Sequence, residues 1–251
     1  MQNTDENVLE GRNAVTEALK AGRTIDKVFL ASGDTDTTLR RIAALAKKNG
    51  AVVTWCDRRK LDSLSATGAH QGVIAMAAAR AYSTLDEILA LAESRGEAPL
   101  VILCDEISDP HNLGAIMRTA ECAGAHGVII PKRRNAGLTP VVAKASAGAV
   151  EYLPIARVTN LTAAIQSLKD RGLWIYGTAA DGAGDLYDTD LTGPCGIVIG
   201  SEGSGISRLV AEQCDFMIRI PLQGQINSLN ASNAAAVMLY EALRQRRAKG
   251  R

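Results

Sequence analysis

Leu100-Val-Ile-Leu-Cys-Asp-Glu-Ile-Ser-Asp109-Pro-His-Asn-Leu-Gly-Ala-Ile-Met-Arg118-Thr-Ala runs from five apolar residues through a polar, glycine-containing turn into a segment with helical spacing. An apolar run without polar alternation implies a strand buried on both faces, and the helix after it makes a βα unit. The pattern recurs downstream. Gly127-Val-Ile-Ile130, Leu173-Trp-Ile-Tyr-Gly177, Gly196-Ile-Val-Ile199 and Phe216-Met-Ile-Arg-Ile220 predict further strands, and 113–123, 160–170, 207–213 and 231–246 predict helices. The expected fold class is α/β, with a mainly parallel sheet carrying helices on both faces.

Upstream, the alternation is tighter. Helical spacing at 11–20 stops at Ala21-Gly22, 26–31 is strand-like, and a second helix at 39–48 ends at Asn49-Gly50. A strand at 51–56, a short helix at 59–64 and a closing strand at 71–77 complete a small α/β unit. Composition then shifts. Residues 78–84 read as a linker, and Ser83 or Thr84 with Glu87 offers a capping box for the next helix. These signals predict two domains, 1–80 and 81–251.

With 251 residues, 47% hydrophobic and 22% charged, the chain has material for two cores. No apolar run approaches the roughly 20 residues that cross a bilayer, and Met1-Gln-Asn-Thr-Asp-Glu-Asn lacks a signal-peptide layout, so a cytoplasmic protein without a membrane partner is expected. Five cysteines (Cys56, Cys104, Cys122, Cys195, Cys214) without a Cys-x-x-Cys pair read as reduced core or near-core residues. Neither they nor His70, His111 and His126 have metal-ligand spacing, so no metal is expected. Net charge is +1, which gives no overall pull on a polyanion. Arg58-Arg59-Lys60, Lys132-Arg133-Arg134 with Lys144, and Arg244-Gln-Arg-Arg-Ala-Lys-Gly-Arg251 permit local phosphate contacts but also suit a solvated surface. Phe29 and Trp55 read as core, which leaves no aromatic platform for unpaired bases.

Gly200-Ser-Glu-Gly-Ser-Gly-Ile-Ser207 resembles two phosphate loops and fits neither. Ile206 stands where a P-loop needs lysine, and the order is not Gly-x-Gly-x-x-Gly. Glu202 would repel a pyrophosphate; a cofactor with a positive centre, such as the sulfonium of S-adenosylmethionine, fits better, although a tight turn alone also explains the glycines. Asn112 and Arg118 bracket a helix start, as a cap and a partner of Glu121 or as site residues. Asn227, Ser228, Asn230, Ser232 and Asn233 crowd the last helix start, where one cap needs only one of them. The surplus suggests ligand contacts.

Asn112-Leu-Gly-Ala-Ile-Met-Arg118, Gly200-Ser-Glu-Gly203 and Asn227-Ser-Leu-Asn230-Ala-Ser resemble the three signature motifs of the SpoU/TrmH (SPOUT) family of S-adenosylmethionine-dependent RNA ribose 2′-O-methyltransferases. Gly11-Arg-Asn-Ala-Val and His70-Gln-Gly-Val-Ile-Ala75 are similar to that family's N-terminal, ribosomal-protein-like (L30e-like) RNA-binding domain, so the resemblance spans nearly the whole chain. Chains of this length and layout look most like the RlmB-type branch, which modifies a guanosine of 23S rRNA.

The resemblance implies a trefoil knot in the C-terminal domain, a homodimer, and S-adenosylmethionine held by backbone around Ile199, Gly200, Gly203, Ile220, Leu222 and Leu229. It makes Arg118 the base or oxyanion partner, lets Asn112 and Glu202 shape the site, and has Ser228 and Asn230 orient the substrate or Arg118. A guanidinium with a pKa above about 12 normally keeps its proton, which favours the oxyanion role. RNA contacts are expected at Arg12, His70, Lys132, Arg133 and Arg134. A tRNA or another rRNA site is the alternative substrate, and a non-catalytic rRNA-binding protein is the alternative of another class.

Overall fold

The computed structural model describes residues 7–33, 36–65 and 67–249; the first six residues and the last two of the basic tail lie outside them. The chain divides into two units, one running to Ala81 and including Gly137–Pro140, the other formed by the remainder from Tyr82.

The N-terminal unit contains β1 (Val8–Glu10), α1 (Arg12–Lys20), β2 (Ile25–Ala31), α2 (Thr37–Lys48), β3 (Val52–Cys56), α3 (Arg58–Leu64) and β4 (Val73–Ala77). Its sheet has the order β1-β4-β2-β3; β2 and β3 are parallel, and the other pairs are antiparallel. Helices α1 and α2 each turn an apolar stripe inward, and Val15, Leu19, Leu39 and Ile42 meet Val28, Leu30 and Ile74 in one core. Asp36 accepts a hydrogen bond from the Thr38 N–H, so α2 starts two residues before the apolar spacing indicated. The last strand starts at Val73 because Gln71 and Gly72 have φ of 52° and 82°, which extended backbone cannot carry. Phe29 is buried as expected. Trp55 corrects the reading. It lies on β3, the edge strand, and remains 42% exposed.

The second unit contains α4 (Leu85–Arg95), β5 (Leu100–Cys104), α5 (Pro110–Cys122), β6 (Gly127–Pro131), α6 (Pro140–Ala145), β7 (Ile155–Val158), α7 (Leu161–Lys169), β8 (Trp174–Thr178), β9 (Gly184–Asp185), β10 (Cys195–Ile199), α8 (Arg208–Ala211), β11 (Phe216–Arg219) and α9 (Ala231–Lys249). Thr84 provides the cap of α4 in a full capping box with Glu87. All seven strands pair in parallel, in the order β7-β6-β5-β10-β8-β11-β9. Ile88, Leu161, Ile165, Leu168 and Val210 pack on Val101, Leu103, Ile175 and Val198, while α5 and α9 pack together against the opposite side of the sheet. From β5 the chain steps outward to β7, then crosses to β8 on the far side of β10. The carboxyl edge at this reversal is where open α/β sheets gather ligand-binding loops. Among the described residues no helix is long and apolar enough to cross a membrane.

All five cysteines are free thiols, but Cys122, at the end of α5, is exposed rather than near-core. Burial pushes the Cys104 and Cys214 thiols up to about 12, so neither supplies a thiolate near neutral pH. His126 is fully buried, accepts from the Leu100 N–H through Nδ1 and meets Glu97 through Nε2. Burial lowers its pKa below the usual 6.5, against the opposing pull of Glu97. The unfolded chain therefore takes up the proton first, and His126 contributes stability above about pH 6.5 that is lost as pH falls towards its folded pKa. Thermal midpoints measured from pH 8 to pH 5 should fall more steeply for the wild type than for His126→Gln.

Candidate active site

The loop after β5 is pinned to the loop after β10 by main-chain groups. The Asp105 N–H donates to the Ile199 carbonyl at 2.8 Å, and the buried Asp105 carboxylate accepts from the Ser207 N–H at 2.7 Å. One aspartate thus fixes both ends of the glycine loop. Inside it, Ser201 and Gly205 exchange backbone hydrogen bonds of 3.0 and 2.9 Å, and the Ser201 and Ser204 hydroxyls meet at 2.7 Å. Gly200 is held so tightly that a Cβ there would lie 2.2 Å from the Gly205 carbonyl carbon, whereas a Cβ on Gly203 would meet nothing.

Helix α5 starts at Pro110, with Asp109 as its cap. Asn112 is therefore free of capping. Its Nδ2 donates to Glu202 Oε1 at 2.8 Å, and its Oδ1 accepts from Asn230 Nδ2 at 3.0 Å. Asn230 Nδ2 also reaches Glu202 Oε1, while Asn230 Oδ1 caps α9 by accepting from the Ser232 and Asn233 N–H groups and the Ser232 hydroxyl. Residues separated by 90 and 118 positions meet at one carboxylate oxygen and one amide. Gly114 permits the approach that covers this helix start: a Cβ there would lie 2.5 Å from the Ala145 Cβ of α6. Arg118 is not part of the cluster. It lies about 9 Å further along the helix axis, exposed, with no hydrogen bond or ion pair to any described residue, Glu121 included.

Next to the cluster is a cleft of about 510 Å³ between the loops after β8, β10 and β11. Ile199, Gly200, Glu202, Gly203, Ser228 and Leu229 line it; Ile220, Leu222 and Leu229 line an adjoining apolar cavity of about 110 Å³. Among the described residues, the only charged ones lining the cleft are Asp181 and Glu202. Two carboxylates without a cation suit a positively charged ligand and oppose a phosphate. Asp181 escaped the sequence reading because no motif surrounds it.

A second tie joins the motif loop to the basic segment after β6. Glu106 and Arg134 both adopt left-handed backbone, each with φ 59°, and form an ion pair at 2.9 Å. The Asn135 carboxamide accepts from the Ile107 N–H at 2.8 Å, and the Ala136 N–H donates to the Ile107 carbonyl. Arg133 and Arg134 are consequently exposed, and Lys132 half-buried, beside the site. In the other unit Arg12 is held by Asp36 and the Gln71 carbonyl. His70 is buried; Nδ1 accepts from the Gly72 N–H and Nε2 meets Asp62, so its ring shapes the turn.

With this geometry in place, residues 99–240 match the model of the SpoU rRNA Methylase family, and residues 8–83 match that for RNA 2′-O ribose methyltransferase substrate binding. The chain belongs to the SpoU family. It is 48% identical over 240 residues, 96% of each chain, to the TrmH family protein YacO of Bacillus subtilis, whose name leaves tRNA or rRNA as the substrate. Among solved structures it is similar to the SpoU methyltransferase AviRb of Streptomyces viridochromogenes in complex with AdoMet, with TM-score 0.61 and 27% identity, covering 96% of this chain and 90% of that one. It is also similar to the AdoMet-bound rRNA methyltransferase of Sinorhizobium meliloti, with TM-score 0.59 and 27% identity, covering 95% and 87%. The three segments that resemble the family's signature motifs converge on Asn112, Glu202 and Asn230.

Proposed function

We propose that this SpoU protein transfers a methyl group from S-adenosylmethionine to a ribose 2′-oxygen of RNA. The observation that carries the reading is the convergence of Asn112, Glu202 and Asn230 at a cleft whose only charges are acidic. The residues fit the cofactor: Ile199, Gly200 and Gly203 would hold it from one side and Ile220, Leu222 and Leu229 from the other, with Asp181 and Glu202 balancing its positive charge. Bound there, it supplies an electrophilic methyl on a sulfonium centre.

The protein's own contribution is positioning and charge. Ser228 and Asn230 orient the sugar and its phosphate, Asn112 and Glu202 fix Asn230, and Arg118 stabilises the negative charge that develops on the 2′-oxygen as its proton passes to solvent water. Arg118 has no partner among the described residues, so its donors are available to that oxygen. Arg133 and Arg134, with Lys132, contact RNA phosphates, and residues 1–80, including Arg12, form the substrate-binding domain of the catalytic domain 81–251. The enzyme works in the cytoplasm as a homodimer; the exposed Tyr240, Arg244 and Arg247 on α9 support a second copy there. A trefoil knot in the catalytic domain belongs to the same reading.

The substrate is a guanosine of 23S rRNA, with tRNA as the alternative. Mapping 2′-O-methylation in rRNA and tRNA from cells lacking the protein tests this: one 23S guanosine should lose its mark. Loss from tRNA instead selects the alternative, and an unchanged map removes the reading.

A further inference from the structure

The N-terminal unit carries an aromatic ring that the apolar spacing of β3 assigns to the core and the sheet order leaves outside. β3 is the edge strand, and Trp55 is 42% exposed on it. Immediately after β3 come Arg58, Arg59 and Lys60, all exposed; neither Arg58 nor Arg59 makes a hydrogen bond or ion pair through its side chain with any described residue. Lys60 lies near enough to Cys56, the residue after Trp55, for its charge to act on the thiol. The wider charge pattern agrees. Residues 1–81 hold twelve Lys and Arg against nine Asp and Glu, while the rest of the chain holds sixteen against eighteen. The excess of positive charge, hidden in a net +1, belongs to the unit that bears this tryptophan.

An exposed indole within four residues of two unpaired guanidinium groups matches what unpaired RNA needs: a flat surface on which a base stacks and cations that follow its phosphates. Trp and Arg are also enriched at protein interfaces, so a protein partner is an outcome of the test; the run of cations that follows, Arg58, Arg59 and Lys60, favours RNA. We propose that Trp55, with Arg58 and Arg59, is a stacking subsite for an unpaired nucleobase of the RNA substrate. The subsite rests on the reading of the chain as an RNA-modifying enzyme, and it selects single-stranded RNA.

The test uses the full chain with oligoadenylate and oligouridylate of about twelve nucleotides, and an abasic ribose-phosphate chain of equal length. The protein has two tryptophans, so Trp174→Phe leaves Trp55 as the sole indole emitter. Oligoadenylate should quench that emission. Trp55→Ala should weaken oligoadenylate binding about tenfold, Trp55→Phe should retain most of it, and the abasic chain should bind wild type and variants alike. Oligouridylate should lose less than oligoadenylate. Unquenched emission, wild-type affinity of Trp55→Ala, or an equal loss on the abasic chain would each overturn the subsite, as would altered self-association with RNA affinity unchanged. If Trp55→Ala fails to fold, the quenching measurement decides alone. Quenching without methyl transfer by the wild type would sink the proposed function and leave the subsite standing; transfer with a silent Trp55 would do the reverse.

Discussion

Replacing Gly200 by alanine should weaken S-adenosylmethionine binding by roughly 30- to 100-fold, on the scale of the 1–3 kcal/mol that overpacking typically costs. The added Cβ would lie 2.2 Å from the Gly205 carbonyl carbon and 2.3 Å from the Ile206 nitrogen, both backbone atoms that cannot swing aside as a side chain would. The loop has little freedom to yield, because Ser201 and Gly205 are doubly hydrogen bonded and Ser207 is anchored on Asp105. Relief requires the cleft wall to open, which displaces the backbone proposed to hold the cofactor. Gly193→Ala is the control. Its Cβ would meet nothing, its φ is not left-handed and it lines neither the cleft nor the apolar cavity, so calorimetric affinity should stay within about threefold of wild type. Equal affinities for Gly200→Ala and wild type would mean that the cofactor does not depend on this loop.

Arg118→Ala should lower methyl transfer by about 100- to 1000-fold while cofactor affinity changes little, the loss expected when one donor to a developing oxyanion is removed. Arg118 lies outside the Asn112–Glu202–Asn230 cluster and lines neither the cleft nor the apolar cavity, so cofactor binding has no reason to need it. Arg118→Lys keeps the charge but loses the planar fork of donors, and should also lose most activity. Single-turnover transfer and calorimetry on the same preparations separate the two effects. Turnover near wild type in Arg118→Ala removes the residue from the mechanism; a parallel collapse of cofactor affinity makes its role structural.

The large sheet was legible because its central strands are short, fully apolar runs, as at Leu100–Cys104 and Cys195–Ile199. β7 escaped because Arg157 interrupts its four residues, and β9 because two residues carry no period. Trp55 was misread for a different reason: whether an apolar side chain is covered depends on where its strand stands in the sheet, and strand order is not local information. The three polar segments stood out in the sequence, but their meeting did not, because Asn112 could cap its own helix until Asp109 was seen to take that place. His70 shows the converse. Its position in a motif marked it as important, and only its burial revealed that it serves the turn around Gly72.

The central claim is that a methyl group reaches a ribose oxygen at the acidic cleft. Its most direct test supplies the purified protein with S-adenosylmethionine carrying a deuterated methyl and unmodified rRNA and tRNA, then digests the RNA to nucleosides for mass spectrometry. One 2′-O-methylated nucleoside bearing the intact deuterated methyl on its sugar is expected. Label on a base, or no label in either RNA, would contradict it.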